Sequence, residues 1–348
     1  MDHQILLNKL NLCGVRGLPN LLIRDYLTNR MQRVRVNGVF SGYSLVSMGV
    51  PQGSILGPLL FLFYINDLPK VSNMLSCVLF ADDTTVYASG TDMVELARVF
   101  NSEIENISLW MRANALSLNV NKTFYMLFSN IRAVLPSDPQ IILEGVSVRR
   151  EQNGKFLGIN IDTKLNFKIH INHVCGKIAR SVGVFYRLQY YFPRKILVNL
   201  YYSLVYPYLL YCVITWGGTY SNCLAPLKIL QKRIIRLIAG SHYLAHSEPL
   251  FAMLKILRVD DIYRFVLAQY MFRNRGSLAY RHPDIYHTRG ANLLAPVFQR
   301  LSMTQRSVGF AGPQMWNSLP RNIREIESIY SFKRAVRAHL LQSYRPTV

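Results

Sequence analysis

The sequence predicts an α+β protein in which short strands and helices mix up to about Asp162 and helices alone follow. Three observations carry this. Runs of β-branched and aromatic residues, several broken by a Gly-containing turn dipeptide, recur as far as Asp162 and then fade. Between and beyond them, apolar residues return every three or four positions, the period of a helix. Half of the 348 residues are apolar, which suffices for two or three cores at ordinary domain size and excludes a disordered chain.

Taken in order, Ile5, Leu6, Leu7 and Leu10 mark a short amphipathic helix, and Cys13 to Pro19 a break with two glycines. Pro19 suits the first turn of a second helix running to about Arg30. In QRVRVNGVFSGYSLVSMGV, Val34 and Val36 alternate with Arg33 and Arg35 ahead of Asn37-Gly38, a dipeptide favoured in two-residue type I′ turns. That predicts a hairpin with one apolar and one basic face. Pro51, Gly53, Gly57 and Pro58 cluster where a loop must feed an apolar helix, with Ser54 placed to cap it and the helix expected to be buried. SCVLFADDTTVYAS reads as a second hairpin, Cys77 to Phe80 and Thr84 to Ala88, with Ala81, Asp82 and Asp83 at its tip. From Asp92 onward, Met93, Ala97, Phe100, Ile104, Ile107 and Met111 form the apolar stripe of a packing helix. Strand-like segments follow at Thr123 to Phe128, Ile141 to Val148 around Glu144-Gly145, and Phe156 to Ile161. Residues 166–275 read mainly as helices, several of them basic, as in KILQKRIIRLIAG. Gly, Pro and Asn between Gly276 and Pro296 predict a loop before a last helix over about Ser331 to Gln342. There is no internal repeat.

Forty Lys and Arg oppose 19 Asp and Glu, a net charge of +21. Such an excess points to a polyanionic partner, which on charge alone is nucleic acid or anionic lipid. Residues 1–199 hold 21 basic and 13 acidic groups, and residues 200–348 hold 19 and 6, so the C-terminal part is the stronger phosphate holder. Five scattered cysteines without a CxxC pair suit a reducing compartment. MDHQILLNKL lacks a small-residue cleavage site, so no signal peptide and an intracellular location, nucleus or cytoplasm, are expected. Ile196 to Leu227 is free of charge and long enough to span a bilayer. Asn199, Ser203, Pro207, five tyrosines and basic residues at both ends favour instead a buried helical pair bent near Pro207, and no membrane is expected.

Asp82-Asp83 is the chemical feature. Neighbouring side chains on a regular strand point to opposite faces, but at a hairpin tip two carboxylates can diverge and still serve one region. Mg²⁺ takes oxygen ligands, usually one or two carboxylates with phosphates and water, and a two-ion phosphoryl-transfer centre needs at least one carboxylate more, from another strand. Two acids after an aromatic also make an ordinary polar turn. The context sharpens the chemical reading: a Gly/Pro loop and a long apolar helix precede this hairpin, and an amphipathic helix follows it.

That arrangement resembles the reverse transcriptases of non-LTR, LINE-type retrotransposons of the jockey and CR1-like group. GVPQGSILGPLLFLFYINDLP at Gly49 to Pro69 is similar to the family's template- and nucleotide-positioning motif, implying that role for Pro51, Gln52, Gly53 and Ser54. VLFADDTTVYA at Val78 to Ala88 is similar to its catalytic hairpin, with Asp82 and Asp83 as metal ligands for Mg²⁺ or Mn²⁺. LSLNVNKTFYMLFS places Lys122 at the lysine of the next motif, which implies that it neutralises or protonates departing pyrophosphate; by itself a lone lysine before a strand reads as a solvated charge. KFLGINIDTKLNFKIHINHV resembles the primer-grip region, with Phe156, Leu157 and Gly158, and the entry to the thumb. Three segments further on resemble the tail found beyond the polymerase. The resemblance implies a partial right-hand polymerase palm over residues 1–165, a helical thumb-like region over 166–240 and a basic C-terminal region over 241–348. An RNA template, a DNA primer and deoxynucleoside triphosphates are the implied partners. In the family a strand reading approximately LDLSKAFDTV, with the first catalytic aspartate, precedes MDHQILLNKL, and fingers and an endonuclease lie further upstream. Without them the chain is expected to be inactive alone. A non-catalytic RNA- or DNA-binding protein derived from a retroelement is the alternative.

The remaining candidates are simpler. Arg33 and Arg35 would contact nucleic acid or form a solvated strand side. Lys228, Lys232, Arg233 and Arg236 fall at helical spacings among Ile229, Leu230, Ile234 and Ile235, so one face can pack while the other tracks phosphates or is merely solvated. Tyr186, Tyr190, Tyr191 and Phe192, near Arg187, Arg194 and Lys195, would stack on single-stranded bases or pack in a core. His170, His173 and Cys175, like Cys223, His242 and His246, lack the paired-cysteine spacing of a zinc finger, and zinc is not expected.

Overall fold

In the computed structural model, residues 1–129, 139–275, 293–294 and 299–344 are described. The chain divides into two compact units, one made mainly of residues up to Glu151 and the other mainly of residues from Gln152 onward, with Phe128–Ile131 grouped with the second.

In the first unit, Asp2 caps α1 (His3–Leu12) by accepting the Ile5 N–H at 2.9 Å, and Pro19 enters the first turn of α2 (Leu18–Leu27). An antiparallel ribbon follows: β1 (Met31–Gln32) pairs with β4 (Ser44–Leu45), and β2 (Arg35–Val36) with β3 (Val39–Phe40). Asn37 and Gly38 have φ of 49° and 86°, as a type I′ turn requires. The expected contrast of faces is corrected. Phe40 stands across from Arg35, and Val34, Val36, Val39 and Phe40 are all exposed. The apolar helix α3 (Leu56–Ile65) is likewise only half-buried: Gly57, Leu60, Tyr64 and Ile65 enter the core, whereas Leu56, Leu59 and Leu62 are exposed.

Three contacts tie α1, α3 and α4 (Met93–Ala113) together. The Tyr64 hydroxyl donates to the Asn114 carbonyl at 2.5 Å and accepts the Asp2 N–H. Lys9 donates to both Asp67 and the Tyr64 carbonyl at 2.7 Å, with its ammonium 4.5 Å from the Trp110 ring centroid. The Trp110 indole N–H donates to the other Asp67 oxygen. β5 (Ser76–Phe80) and β6 (Asp83–Tyr87) form a hairpin, and Ile107 and Met111 of α4 pack with Cys77, Leu79 and Val86. Strand signal at Thr123 to Phe128 contracts to β7 (Phe124–Tyr125), parallel to β10 (Arg149–Arg150). β8 (Ile142–Leu143) and β9 (Val146–Ser147) turn at Glu144 and Gly145, both at positive φ.

The second unit opens on β11 (Asn153–Phe156) and β12 (Ile159–Asp162). Their turn is Leu157-Gly158, with φ of 45° and 84°, so Phe156 to Ile161 is not one strand but the tip and second arm of a hairpin. The buried Asp162 carboxylate accepts the N–H groups of Lys164, Asn166 and Phe167, shaping the entry to α5 (Lys168–Leu188). The charge-free stretch is no helical pair: it breaks into α6 (Arg194–Leu204), α7 (Tyr206–Leu210), α8 (Val213–Trp216) and the start of α9 (Ser221–Ala239). Pro207 starts one segment and Cys212, at φ 47°, separates two others. Among the described residues no helix is long and apolar enough to cross a membrane. α10 (Ser247–Leu254), α11 (Val259–Arg273), α12 (Val308–Ser318), α13 (Arg321–Arg324) and α14 (Ile329–Gln342) complete a single core running from Ile159 to Tyr344. The loop expected between Gly276 and Pro296 lies outside the described residues except at 293–294.

Two buried polar groups hold this core. Gln231 donates to the Tyr201 hydroxyl and the Leu257 carbonyl and accepts the Val259 N–H, all at 2.8–3.0 Å. Asp261, fully buried, accepts from Arg258 at 3.0 Å, Arg264 at 3.3 Å and the Tyr344 hydroxyl at 2.6 Å. Removing one partner of a buried charge network strands the others. Asp261→Ala should therefore cost about 3–5 kcal/mol in urea unfolding, and Tyr344→Phe, which leaves both arginines paired, about 2 kcal/mol. Equal midpoints for Asp261→Ala and the parent would refute this role.

Candidate active-site hairpin

Phe80 pairs with Asp83, so the tip of the β5–β6 hairpin has two residues, Ala81 and Asp82, rather than the three read from sequence. Ala81 sits at φ 51°, a conformation costing of order 1 kcal/mol for a non-glycine residue. Asp83 is the first residue of β6 and, by register, shares a face with Val78, Phe80 and Tyr87, all exposed. Cys77, Leu79 and Val86 point the other way, into the core. The two carboxylates thus leave the backbone from different settings, one from a turn and one from a strand face. Both are exposed, and neither has a hydrogen-bond or ion-pair partner among the described residues. No group of three or more His, Cys, Asp or Glu side chains able to hold a metal occurs among the described residues.

The loop ahead of α3 is a built turn. The Ser54 N–H donates to the Pro51 carbonyl at 3.2 Å, and Gly53 at the third position has φ 80°, as a type II turn demands. Ser54 Oγ accepts the Gly57 N–H at 3.0 Å, which is the expected cap. A Cβ on Gly57 would stand 2.9 Å from that same oxygen, so the cap and the glycine require each other. The loop is anchored at Gly49, whose N–H donates to the Met1 carbonyl and whose carbonyl accepts from His3 Nε2, each at 2.7 Å. Gln52 is exposed with its amide unengaged. Lys122 ends a short 3₁₀ turn, exposed, with no bond to the Asp82-Asp83 tip. On the ribbon, Arg33 lies 3.9 Å from the Phe40 ring centroid and 4.9 Å from that of Tyr43, and Arg35 5.2 Å from that of Phe40. Cation and ring share one surface there, the pairing used to hold a base over a phosphate.

In the second unit, the turn at Phe156, Leu157 and Gly158 is held by Tyr211, whose hydroxyl donates to the Leu157 carbonyl at 2.6 Å. The four basic residues of α9 separate into two pairs. Lys228 binds Asp260 at 2.9 Å and Arg236 donates to the Ala245 carbonyl at 2.8 Å, leaving Lys232 and Arg233 exposed. Ile229 is exposed rather than packed, while Gln231 takes a core position that its polarity concealed. Tyr186, Tyr190, Tyr191 and Phe192 are all exposed, which decides against the core alternative. His170 is a packed core residue. It lies 5.6 Å from the Trp216 ring, edge-on, and its Nδ1 accepts the Asn160 N–H.

Residues 1–161 match the model of the reverse transcriptase (RNA-dependent DNA polymerase) family. About 70% of the chain is similar to proteins of mobile elements in Drosophila melanogaster. It is 27% identical over 266 residues to the RNA-directed DNA polymerase from mobile element jockey, covering 73% of this chain and 28% of that protein. It is also 27% identical over 253 residues to the probable RNA-directed DNA polymerase from transposon BS, covering 69% of this chain and 28% of that one. A third relative, the probable RNA-directed DNA polymerase from transposon X-element, is 27% identical over 247 residues, 69% of this chain and 27% of its own length. The chain thus spans little more than a quarter of these relatives. The likeness to retrotransposon reverse transcriptases carried by the GVPQGS and FADD motifs is borne out.

Burial holds the His170 imidazole below the ordinary histidine range, and the neighbouring His173 acts in the same direction. The unfolded chain, titrating near the usual value of about 6.5, then binds more protons than the folded one as pH falls. The stability from a neutral His170 is complete above that value and is lost progressively below it. Unfolding midpoints should drop between pH 7 and 5, and His170→Leu should flatten the dependence; an unaltered slope would assign it to other groups.

Proposed function

We propose that the Asp82-Asp83 hairpin is the nucleotidyl-transfer centre of an RNA-directed DNA polymerase of a retrotransposon. It lies in a palm-like portion over residues 1–165, followed by a thumb-like region over 166–240 and a basic C-terminal region over 241–348. The observation that carries the reading is a pair of adjacent, exposed carboxylates with no partner among the described residues, on a hairpin inside the family-matched segment. Mg²⁺ or Mn²⁺ fits this donor set, which offers only oxygen and has no ion-pair partner among the described residues. Bound there, such an ion stabilises the charge that develops on attacking and leaving phosphate oxygens.

The other residues take supporting roles. The Pro51–Ser54 turn presents the free Gln52 amide and the open backbone of Gly53 to template and nucleotide. Lys122 is free to meet departing pyrophosphate, and Phe156, Leu157 and Gly158 grip the primer. Arg33 and Arg35, and Lys228, Lys232, Arg233 and Arg236, favour the RNA template and DNA primer, with deoxynucleoside triphosphates as substrates. Of the four α9 residues only Lys228 has a carboxylate partner among the described residues, and Lys232 and Arg233 have no hydrogen-bond partner there either. A second ion requires a further carboxylate, and none accompanies the pair among the described residues. We therefore expect the chain alone to extend primers poorly. The same observation supports a second reading, an RNA- or DNA-binding protein without catalysis.

Primer extension with Mg²⁺ or Mn²⁺ decides between them. Fusing an upstream strand that supplies an aspartate should raise template-dependent incorporation, and Asp82→Asn should then lower it by at least about 10²-fold. Incorporation that survives Asp82→Asn would overturn the assignment of the centre. Continued inactivity of the fused chain with retained binding would favour the second reading.

A further inference from the structure

Residues 163–247 contain 11 Lys and Arg and not one Asp or Glu. Among the described residues only Lys228 of these 11 has a carboxylate partner. Along this stretch α5 packs against α9, and a cleft of about 520 Å³ opens between them, lined by Ala179, Gly183, Tyr186, Arg187, Leu230 and Arg233. Arg187 and Arg233 have no hydrogen-bond or ion-pair partner among the described residues. Gly183 is peculiar. Glycine weakens a helix interior relative to alanine, yet a Cβ built on Gly183 would meet no atom within 4 Å, so no packing contact calls for it. It lines the cleft and presents no side chain to it. At the C-terminal end of α5, Tyr186, Tyr190 and Tyr191 are 57%, 75% and 79% exposed, three rings with no core to explain them.

We propose that this cleft and its tyrosines bind single-stranded nucleic acid, with Arg187 and Arg233 holding backbone phosphates on facing walls and bases stacking on Tyr186, Tyr190 and Tyr191. Stacking requires base faces that a duplex hides, which selects single strands. The phosphates must enter a concavity, which a strand can do and the plane of a lipid headgroup surface cannot. The inference draws nothing from Asp82 or Asp83.

Fluorescence anisotropy on the full chain tests it, with labelled 12-nucleotide oligouridine and oligothymidine, an abasic strand of equal length and charge, a duplex, and phosphatidylserine vesicles as probes. Both base-bearing strands should bind more tightly than the abasic strand and the duplex, by about fivefold or more. Arg187→Gln with Arg233→Gln, and Tyr190→Ala with Tyr191→Ala, should each weaken binding at least about fivefold with unchanged far-UV circular dichroism. Gly183→Leu, which fills the cleft without altering charge, should do the same, while Gly183→Ala should retain most of the affinity. If Gly183→Leu fails to fold, the abasic comparison on the parent chain decides. Equal affinity for the abasic strand, parent-like binding by Gly183→Leu, or a preference for vesicles over oligonucleotides would each overturn the proposal.

Discussion

The apolar stripe of α4 is what the first unit rests on. Every sheet among the described residues has two strands, and an isolated two-stranded hairpin in water is marginal at best. Ile107 and Met111 take the inner face of the β5–β6 hairpin, through Cys77, Leu79 and Val86. Ile104, one turn earlier, packs with Ile141, Leu143 and Val148 around the β8–β9 hairpin. Val86 and Phe100 touch both clusters. One helix therefore supports both hairpins, and Trp110 on the same helix joins Lys9 and Asp67 to α1 and α3. The position of Asp82 and Asp83 follows from helix packing rather than from a strand ladder.

The second unit solves a different problem, that of keeping a positive surface while building a core. Its acidic residues are few, and those described, except the exposed Glu327, are engaged within the unit: Asp162 in the turn before α5, Asp261 in the buried network, Asp260 on Lys228, Glu248 on Arg258 and Glu325 on Arg321. Acids consumed in this way do not screen the α5–α9 cleft. A buried carboxylate hydrogen-bonded by two arginines and a tyrosine contributes order at α11 and α14 and leaves Arg187 and Arg233 uncompensated. Surface charge is thus set partly by where the negative charge was buried.

Legibility in the sequence tracked how local each determinant is. Turns at Asn37-Gly38 and Glu144-Gly145 were readable because a glycine stands at their second position between β-rich arms. Leu157-Gly158 is the same turn, hidden because Leu157 blends into the apolar run around it. The Ala81-Asp82 tip was read one residue too long, since neither residue signals a positive φ. The carboxylate pair itself was plain from the motif, as was the Ser54 cap. Unreadable features depend on distant partners: Gln231 enters the core because Leu257 and Val259 meet it, Lys228 is neutralised by an aspartate 32 positions away, and α3 leaves Leu59 and Leu62 exposed because helices cover one side only. An all-apolar helix carries no signal of which side is covered.

The places where local rules fail coincide with the chemistry proposed for them. Ala81 holds a conformation better suited to glycine, Asp82 and Asp83 are like charges side by side, and Phe80 and Tyr87 present rings to solvent on a hairpin with both edges unpaired. Gly183 weakens α5 for no packing gain, and two arginines beside it lack counter-ions. Each departure opposes folding by a small amount, and none is offset by a contact within its own element. Their stabilisation comes from elsewhere, from α4 in one unit and from the Gln231 and Asp261 networks in the other. On the readings proposed above, the groups that this fold leaves exposed and without protein partners would take partners from outside it: an ion and phosphates at the hairpin, and a nucleic-acid strand at the cleft.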